Sequence, residues 1–451
     1  MIKLLVVADD FTGALDTGVQ FAKQGIQTWV TTDVDVDFRS IDRSIEVLVV
    51  DTETRHKSPD KAYEIVCDLV KAATDFGINH IYKKTDSVLR GNIGSELLGA
   101  MKGAGSDRLM FIPAFPDNNR TTENGIQYVS GVPIADTHFA KDPFTPVQNS
   151  SIPDIIGEYA SVKTTVVKLG ENRDNGKAIK VRESEETADL SKGTGIFIFD
   201  AKTNEELARI GNILTASNQT KLMAGCAGFA GVFHTMFDFK KQTPERVIPG
   251  NNILLVSGSV NDTAIEQMDN AKKIGFKGIC LTPEQKLART QEHSLCRERR
   301  MEELIQKIKD ILENSKLAYI EAVENREDML ETDRYAFENG IGVDEDMNIE
   351  SLRTLITENI GEIVKQVADN CKIDNLFIFG GDTLLGITKK LGIKNILPLF
   401  EIDSGIVVSK IISDKYSFNI ITKAGGLGGK DAATVVVESM VVKRLLEGQK
   451  P

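Results

Sequence analysis

The chain has 451 residues, of which 27% are charged and 41% hydrophobic, with 54 basic against 66 acidic side chains and a net charge of -12. This is the composition of a folded chain of two domains of about 200 residues each, and its acidic balance excludes a general binder of nucleic acid or of anionic membranes. Five scattered cysteines without C-x-x-C spacing exclude a zinc site or a disulfide framework and predict a cytoplasmic setting; no apolar run reaches the length of a membrane span, and MIKLLVVADD is too short and acidic for a secretory leader.

Short apolar runs alternate with longer helical patterns from the start, which predicts βαβ units and a mainly parallel sheet. Ile2 to Val7, Gln27 to Thr31, Val47 to Val50, Ile78 to Tyr82 and Leu109 to Ile112 read as strands. Pro59 to Thr74 reads as a helix, with apolar spacing through Ala62, Ile65, Val66, Leu69, Val70 and Ala73. The first strand runs into Asp9, Asp10, Phe11, Thr12 and Gly13. Two adjacent carboxylates there are either helix caps or chemistry, and one cap needs only one carboxylate. The strand ending at Tyr82 runs into Lys83, Lys84, Thr85, Asp86, Ser87, Val88, Leu89, Arg90, Gly91 and Asn92. Arg grips a carboxylate bidentately and Asp, Ser and Asn suit a polyhydroxy chain; a solvated loop is the alternative.

From Pro113 to Pro153 the sequence turns proline- and asparagine-rich and aperiodic, and a loop of that length inside a domain is usually functional. Gly195 to Phe199 resumes a strand and Asn204 to Leu214 a helix. Thr243 to Gly250, TPERVIPG, is the expected boundary between domains at 1–243 and 244–451.

The second half repeats the alternation at Ile253 to Val256, Gly278 to Leu281, Leu317 to Ala322, Leu376 to Phe379 and Phe418 to Thr422, with a final helix from Ala432 to Leu446. Glu284 to Asn314 is charged but helical in period, a solvated surface helix. Three of these strands end in small-residue turns: Ser257-Gly258-Ser259, Gly380-Gly381-Asp382-Thr383, and Lys423 to Gly429 as KAGGLGG. The last fails the Walker pattern, because Ala424 stands at its first glycine and Asp431 at its hydroxyl position, and it fails the dinucleotide fingerprint as well. Three turns rich in bare amides on one sheet edge suit a nucleoside polyphosphate better than chance tight turns.

ADDFTGALDTG, the segment from Lys84 to Asn92, PAFPDNNRTTENG with the later DPFTPV, SGS, GGDT and KAGGLGG occur in that order and together resemble the four-carbon acid sugar kinases. The resemblance implies an α/β fold of two domains, each with a mainly parallel sheet flanked by helices, and an active site in the interdomain cleft. It implies ATP with Mg2+ as phosphoryl donor and a tetronate as acceptor, without nucleic-acid or membrane partners. The nucleotide contacts carry over to Ser257, Ser259, Gly380, Gly381, Asp382, Thr383, Gly425, Gly426 and Gly428. The sugar contacts carry over to Asp9, Asp10, Thr12, Lys84, Asp86, Ser87, Arg90 and Asn92. Phosphoryl transfer needs alignment and charge neutralisation. Arg90, with Lys84, is accordingly expected to fix the substrate carboxylate, Asp10 to accept the proton of the reacting hydroxyl, and Asp382 to meet Mg2+. The LRGN form points to the threonate and erythronate branches over the 3-oxo-tetronate branch. A non-catalytic metabolite sensor is the rival reading, a nicotinamide-dependent oxidoreductase lacks its fingerprint, and a homo-oligomer is left open.

Overall fold

The structure is a computed structural model that describes residues 1–142, 145–169, 179–181, 193–243, 247, 249–288, 295–341, 349–423 and 428–441. Two compact units divide the chain, Met1–Pro244 and Glu245–Pro451. Among the described residues no helix is long and apolar enough to cross a membrane.

The strands of the first unit are β1 (Leu4–Ala8), β2 (Thr28–Thr31), β3 (Val47–Asp51), β4 (His80–Lys84), β5 (Arg108–Ile112), β6 (Arg120–Glu123), β7 (Ile126–Val129), β8 (Val132–Pro133), β9 (Thr164–Leu169), β10 (Ile179–Val181), β11 (Gly195–Phe199) and β12 (Leu222–Gly225). Its helices are α1 (Phe11–Ala22), α2 (Pro59–Phe76), α3 (Ile93–Gly103), α4 (Ile152–Gly157), α5 (Asn204–Ala216), α6 (Ala227–Ala230) and α7 (Phe233–Met236). The main sheet runs β10-β9-β11-β5-β12-β4-β1-β3-β2, and every pairing is parallel except that of β10 with β9. Continuous apolar runs such as LLVVA and the VLVV of β3 are buried throughout, as strands covered on both faces require. On one face Leu5, Val7 and Ile81 pack with Val66, Leu69 and Leu97 of α2 and α3. On the other, Tyr82 meets the rings of Phe229 and Phe233. The same alternation separates two consecutive buried lysines of β4: Lys83 Nζ pairs with Glu96 of α3 at 2.9 Å, while Lys84 Nζ lies 3.5 Å from Asp9.

The second unit contains β13 (Ile253–Ser257), β14 (Lys277–Cys280), β15 (Leu317–Glu321), β16 (Asn375–Phe379), β17 (Asn395–Asp403), β18 (Ile406–Ile411) and β19 (Asn419–Lys423). They pair in the order β17-β18-β19-β16-β13-β15-β14, antiparallel through β17, β18 and β19 and parallel from there on. The helices are α8 (Asp262–Lys273), α9 (Pro283–Leu287), α10 (Leu295–Asn314), α11 (Arg326–Glu338), α12 (Ile349–Asn370), α13 (Gly381–Leu391) and α14 (Ala432–Met440).

Three expectations need correction. Pro113 to Pro153 is not aperiodic: β6, β7 and β8 form a separate antiparallel sheet. Its hairpins turn on Asn124-Gly125 and Ser130-Gly131, all with positive φ, the backbone that two-residue hairpin turns demand. Glu284 to Asn314 is not one helix, because Ala288 turns extended after α9. The last helix ends at Met440 with an extended Val441, and residues 442–446 lie outside the described residues.

Candidate active site

β3, β1, β4, β12 and β5 are successive parallel neighbours, so the loops leaving their carboxyl ends share one edge. Ala8 is in register with Asp51 on one side and Lys84 on the other, which fixes Asp9 and Asp10 beside both of those strand ends. Asp10 occupies the N-cap position of α1, yet its side chain makes no capping bond. Its carboxylate accepts instead from Thr12 Oγ1 at 2.6 Å and from Arg55 at 2.5 Å, with Lys84 Nζ at 3.8 Å. The same Arg55 donates to Asp9 at 2.7 Å and stands 3.7 Å from Asp86. Gly13 makes the approach sterically feasible: a Cβ there would fall 2.4 Å from both Asp10 Oδ1 and Lys84 Nζ.

The electrostatics follow from this packing. Burial raises the Asp10 carboxyl, but Arg55 and Lys84 more than offset it and hold the group down to about 2. Asp86 is likewise buried and is held far below the usual carboxylate range by Arg90 and Arg55. Burial favours a neutral Lys84, and Asp9 and Asp10 overcome it, so the ammonium is raised above its usual range. Every one of these groups is ionised at neutral pH. The edge is therefore a fixed array of charges.

Arg90 is fully engaged by carboxylates of the chain itself. Its Nε and one terminal nitrogen reach Asp86 at 2.8 Å and 3.1 Å, its other terminal nitrogen reaches Asp142 at 3.3 Å, and its plane lies 5.6 Å from the Phe139 ring. Asn92 donates at 2.8 Å to the carbonyls of Thr54 and Lys57 and so fixes the loop that carries Arg55. Ser87 accepts, through its carbonyl, from Gln127 of β7 at 3.0 Å. Arg55 escaped the sequence reading, although Asp51-Thr52-Glu53-Thr54-Arg55 is a charge-dense strand end of the kind that singled out β1 and β4.

In the second unit β19, β16 and β13 are also successive neighbours, with Lys423, Phe379 and Ser257 in register. The three small-residue turns thus leave adjacent strand ends. Gly380 has a φ of 98°, a left-handed value that glycine tolerates, and its N–H donates to Lys423 O at 3.0 Å. A Cβ on Gly258 would fall 2.4 Å from Thr383 Oγ1, and one on Gly380 would lie 3.8 Å from Ser259 Cβ. Gly381 opens α13, so Gly380, Gly381 and Thr383 sit at the positive end of an eleven-residue helix. Gly428, φ 81°, accepts through its carbonyl from Gln267 at 3.1 Å. Asp382 pairs closely with Arg353. Gly425 and Gly426 lie outside the described residues. Lys423 is buried at the end of β19, 4.9 Å from the Phe379 ring, and burial brings its ammonium down to about 7.

Residues 4–233 match the family model of a sugar-binding N-terminal domain, and residues 254–433 match that of a nucleotide-binding C-terminal domain. The chain is similar to a D-threonate kinase of Salmonella typhimurium, with 28% identity over 95% of this chain and 96% of that protein. It is similar to a D-erythronate kinase of Heliobacterium modesticaldum, with 24% identity over 98% of both chains. A 3-oxo-tetronate kinase of Brucella melitensis is 26% identical over 51% of this chain and 52% of its own length. Among solved structures, a Salmonella typhimurium protein superposes with a TM-score of 0.73 at 19% identity, covering 97% of this chain and 99% of its own. A Haemophilus influenzae protein does so with a TM-score of 0.69 at 19% identity, covering 97% of this chain and all (100%) of its own.

Proposed function

Starting from the four-carbon acid sugar kinases, the family of phosphotransferases to which this chain belongs, we propose that it phosphorylates the terminal hydroxyl of D-threonate, D-erythronate or L-threonate with ATP as donor. The observation that carries this reading is the Asp10 carboxylate, kept ionised by Arg55 and Lys84 at a strand end and not spent on capping its helix. An ionised acceptor that hydrogen-bonds the hydroxyl orients it for attack and takes its proton as the new O–P bond forms. The bond to the donor's bridging oxygen breaks in the same displacement and ADP leaves. Lys84, beside Asp10, offers positive charge to the phosphoryl group in transit.

Ser257, Ser259, Gly380, Gly381, Thr383 and Gly428 are the residues we assign to the nucleotide. Bare amides at a helix start, glycine backbones and hydroxyls fit a polyphosphate. Mg2+ neutralises phosphate charge when bound, and it characteristically takes only one or two protein carboxylates. Asp382, already paired with Arg353, would share itself between that arginine and the metal or its waters. We place the reaction in the cytoplasm, where the unpaired Cys67, Cys226, Cys280 and Cys371 stay reduced.

The test is ADP release with Mg-ATP against D- and L-threonate, D- and L-erythronate and their 3-oxo and 2-oxo relatives. Strong turnover of one tetronate is the expected result. Preference for a 3-oxo acid would move the chain to that branch, and ATP binding without turnover of any acid would overturn the proposed acceptor.

A further inference from the structure

Two arginines of the first unit's carboxyl edge are matched by carboxylates of the chain: Arg55 by Asp9 and Asp10, Arg90 by Asp86 and Asp142. Arg120 differs from both. It opens β6 and is locked to Phe115, just past the end of β5, by reciprocal backbone bonds of 2.8 Å and 3.0 Å. Phe115 packs with Cys226 and Ala227 beyond the end of β12, so Arg120 is anchored to the strand ends that carry the site. One of its terminal nitrogens donates to the Asn118 carbonyl. Its Nε is buried with no hydrogen-bond partner, and among the described residues no carboxylate forms an ion pair with it. Burial holds this guanidinium below its usual range, and the pull of the nearby Asp86 does not make up the difference.

A half-buried cation that lacks a counter-ion, beside a site for an anionic substrate, is a charge whose partner arrives with the ligand. With one terminal nitrogen bound to Asn118, the Nε edge is left for the paired contact that arginine makes with a carboxylate. We propose that Arg120 receives the carboxylate of the four-carbon acid, while Arg90, its fork closed on Asp86, holds that aspartate in place. The inference rests on the kinase reading above and names the group that recognises its acceptor.

The test uses the full chain with Arg120→Gln and Arg120→Lys. The probes are the tetronate that wild type turns over best and its primary amide, which keeps every hydroxyl and loses the charge. Affinity is measured by calorimetry and turnover by ADP release. Arg120→Gln should weaken the acid roughly 100-fold while the amide moves by less than about threefold, the loss expected for charge-assisted contacts to one carboxylate. Arg120→Lys should fall between the two, because it restores charge without the fork. Unchanged acid affinity overturns the inference, and so does an equal weakening of acid and amide, which marks a purely structural role. A wild-type chain that neither binds nor phosphorylates any four-carbon acid overturns the kinase reading itself and takes this inference with it.

Discussion

Arg55→Met keeps much of the apolar stem and deletes a guanidinium that touches Asp9 and Asp10 and stands 3.7 Å from Asp86. Removing one partner of a buried ion pair costs about 3–5 kcal/mol, because the remaining charge stays buried. Lys84, at 3.5 Å and 3.8 Å from the two aspartates, compensates only in part, so the first unit should lose stability within that range. The pH dependence is more diagnostic than the size. In wild type the Asp10 value of about 2 lies below the ordinary 3.8, so its contribution is complete above the ordinary value and is lost as the pH falls through the folded one. It is therefore flat across neutral pH. Without Arg55 the strongest of the groups that lower Asp10 is gone, so the variant has less of this contribution to lose in acid. The gap between the two proteins should hold across neutral pH and narrow as the pH falls from about 3.8 toward about 2. Trp29 on β2 is the only tryptophan, so urea unfolding followed by its fluorescence reports on this unit. A gap below about 1 kcal/mol that ignores pH would refute the assignment of Arg55 as the residue that holds these carboxylates.

Gly13→Ala should lower kcat by about tenfold or more with a normal circular dichroism spectrum, because its methyl would displace Lys84 Nζ and Asp10. Asp10→Asn should lower kcat by roughly 100-fold while tetronate still binds in calorimetry; a nearly unchanged kcat would send the search to Asp9 or Asp86. Gly258→Ala should raise the KM for ATP and leave that for the acid unchanged, since its Cβ would fall 2.4 Å from Thr383 Oγ1. Lys423 is brought from 10.5 down to about 7 by burial, so the unfolded chain binds its proton more tightly across that window and wild-type stability gains from this residue as pH rises. Lys423→Met should flatten that rise and be more stable at neutral pH by about 2 kcal/mol or more, read from chemical unfolding at several pH values.

The strands that build the site were legible because strands covered on both faces are runs of Leu, Val, Ile and Phe, with no alternation to obscure them. Adjacency of the strands was not legible, since β12 reaches its place between β4 and β5 only after more than one hundred residues of intervening chain, and neither spacing nor composition encodes a neighbour. Sequence thus marked Asp10, Lys84 and Arg90 as charges at strand ends, but not which charge would meet which. That Arg90 pairs with Asp86, four residues earlier, and with Asp142, on a distant loop, emerges only from the structure. The antiparallel sheet of β6, β7 and β8 was missed although Asn-Gly and Ser-Gly mark both of its turns, because its short strands show too little alternation to stand out.

Lys83 and Lys84 have a consequence for assembly as well as for chemistry. Each is buried against acids on its own face of β4, Glu96 below and Asp9 with Asp10 above. A strand that slips by one residue turns every side chain to the opposite face. Slipped either way, β4 could present a lysine to only one of the two acidic positions and would strand the other in a dry interior. Hydrophobic residues such as Ile81 and Tyr82 tolerate such an error far better than an orphaned charge does. The tandem lysine is a checksum on the alignment of β4.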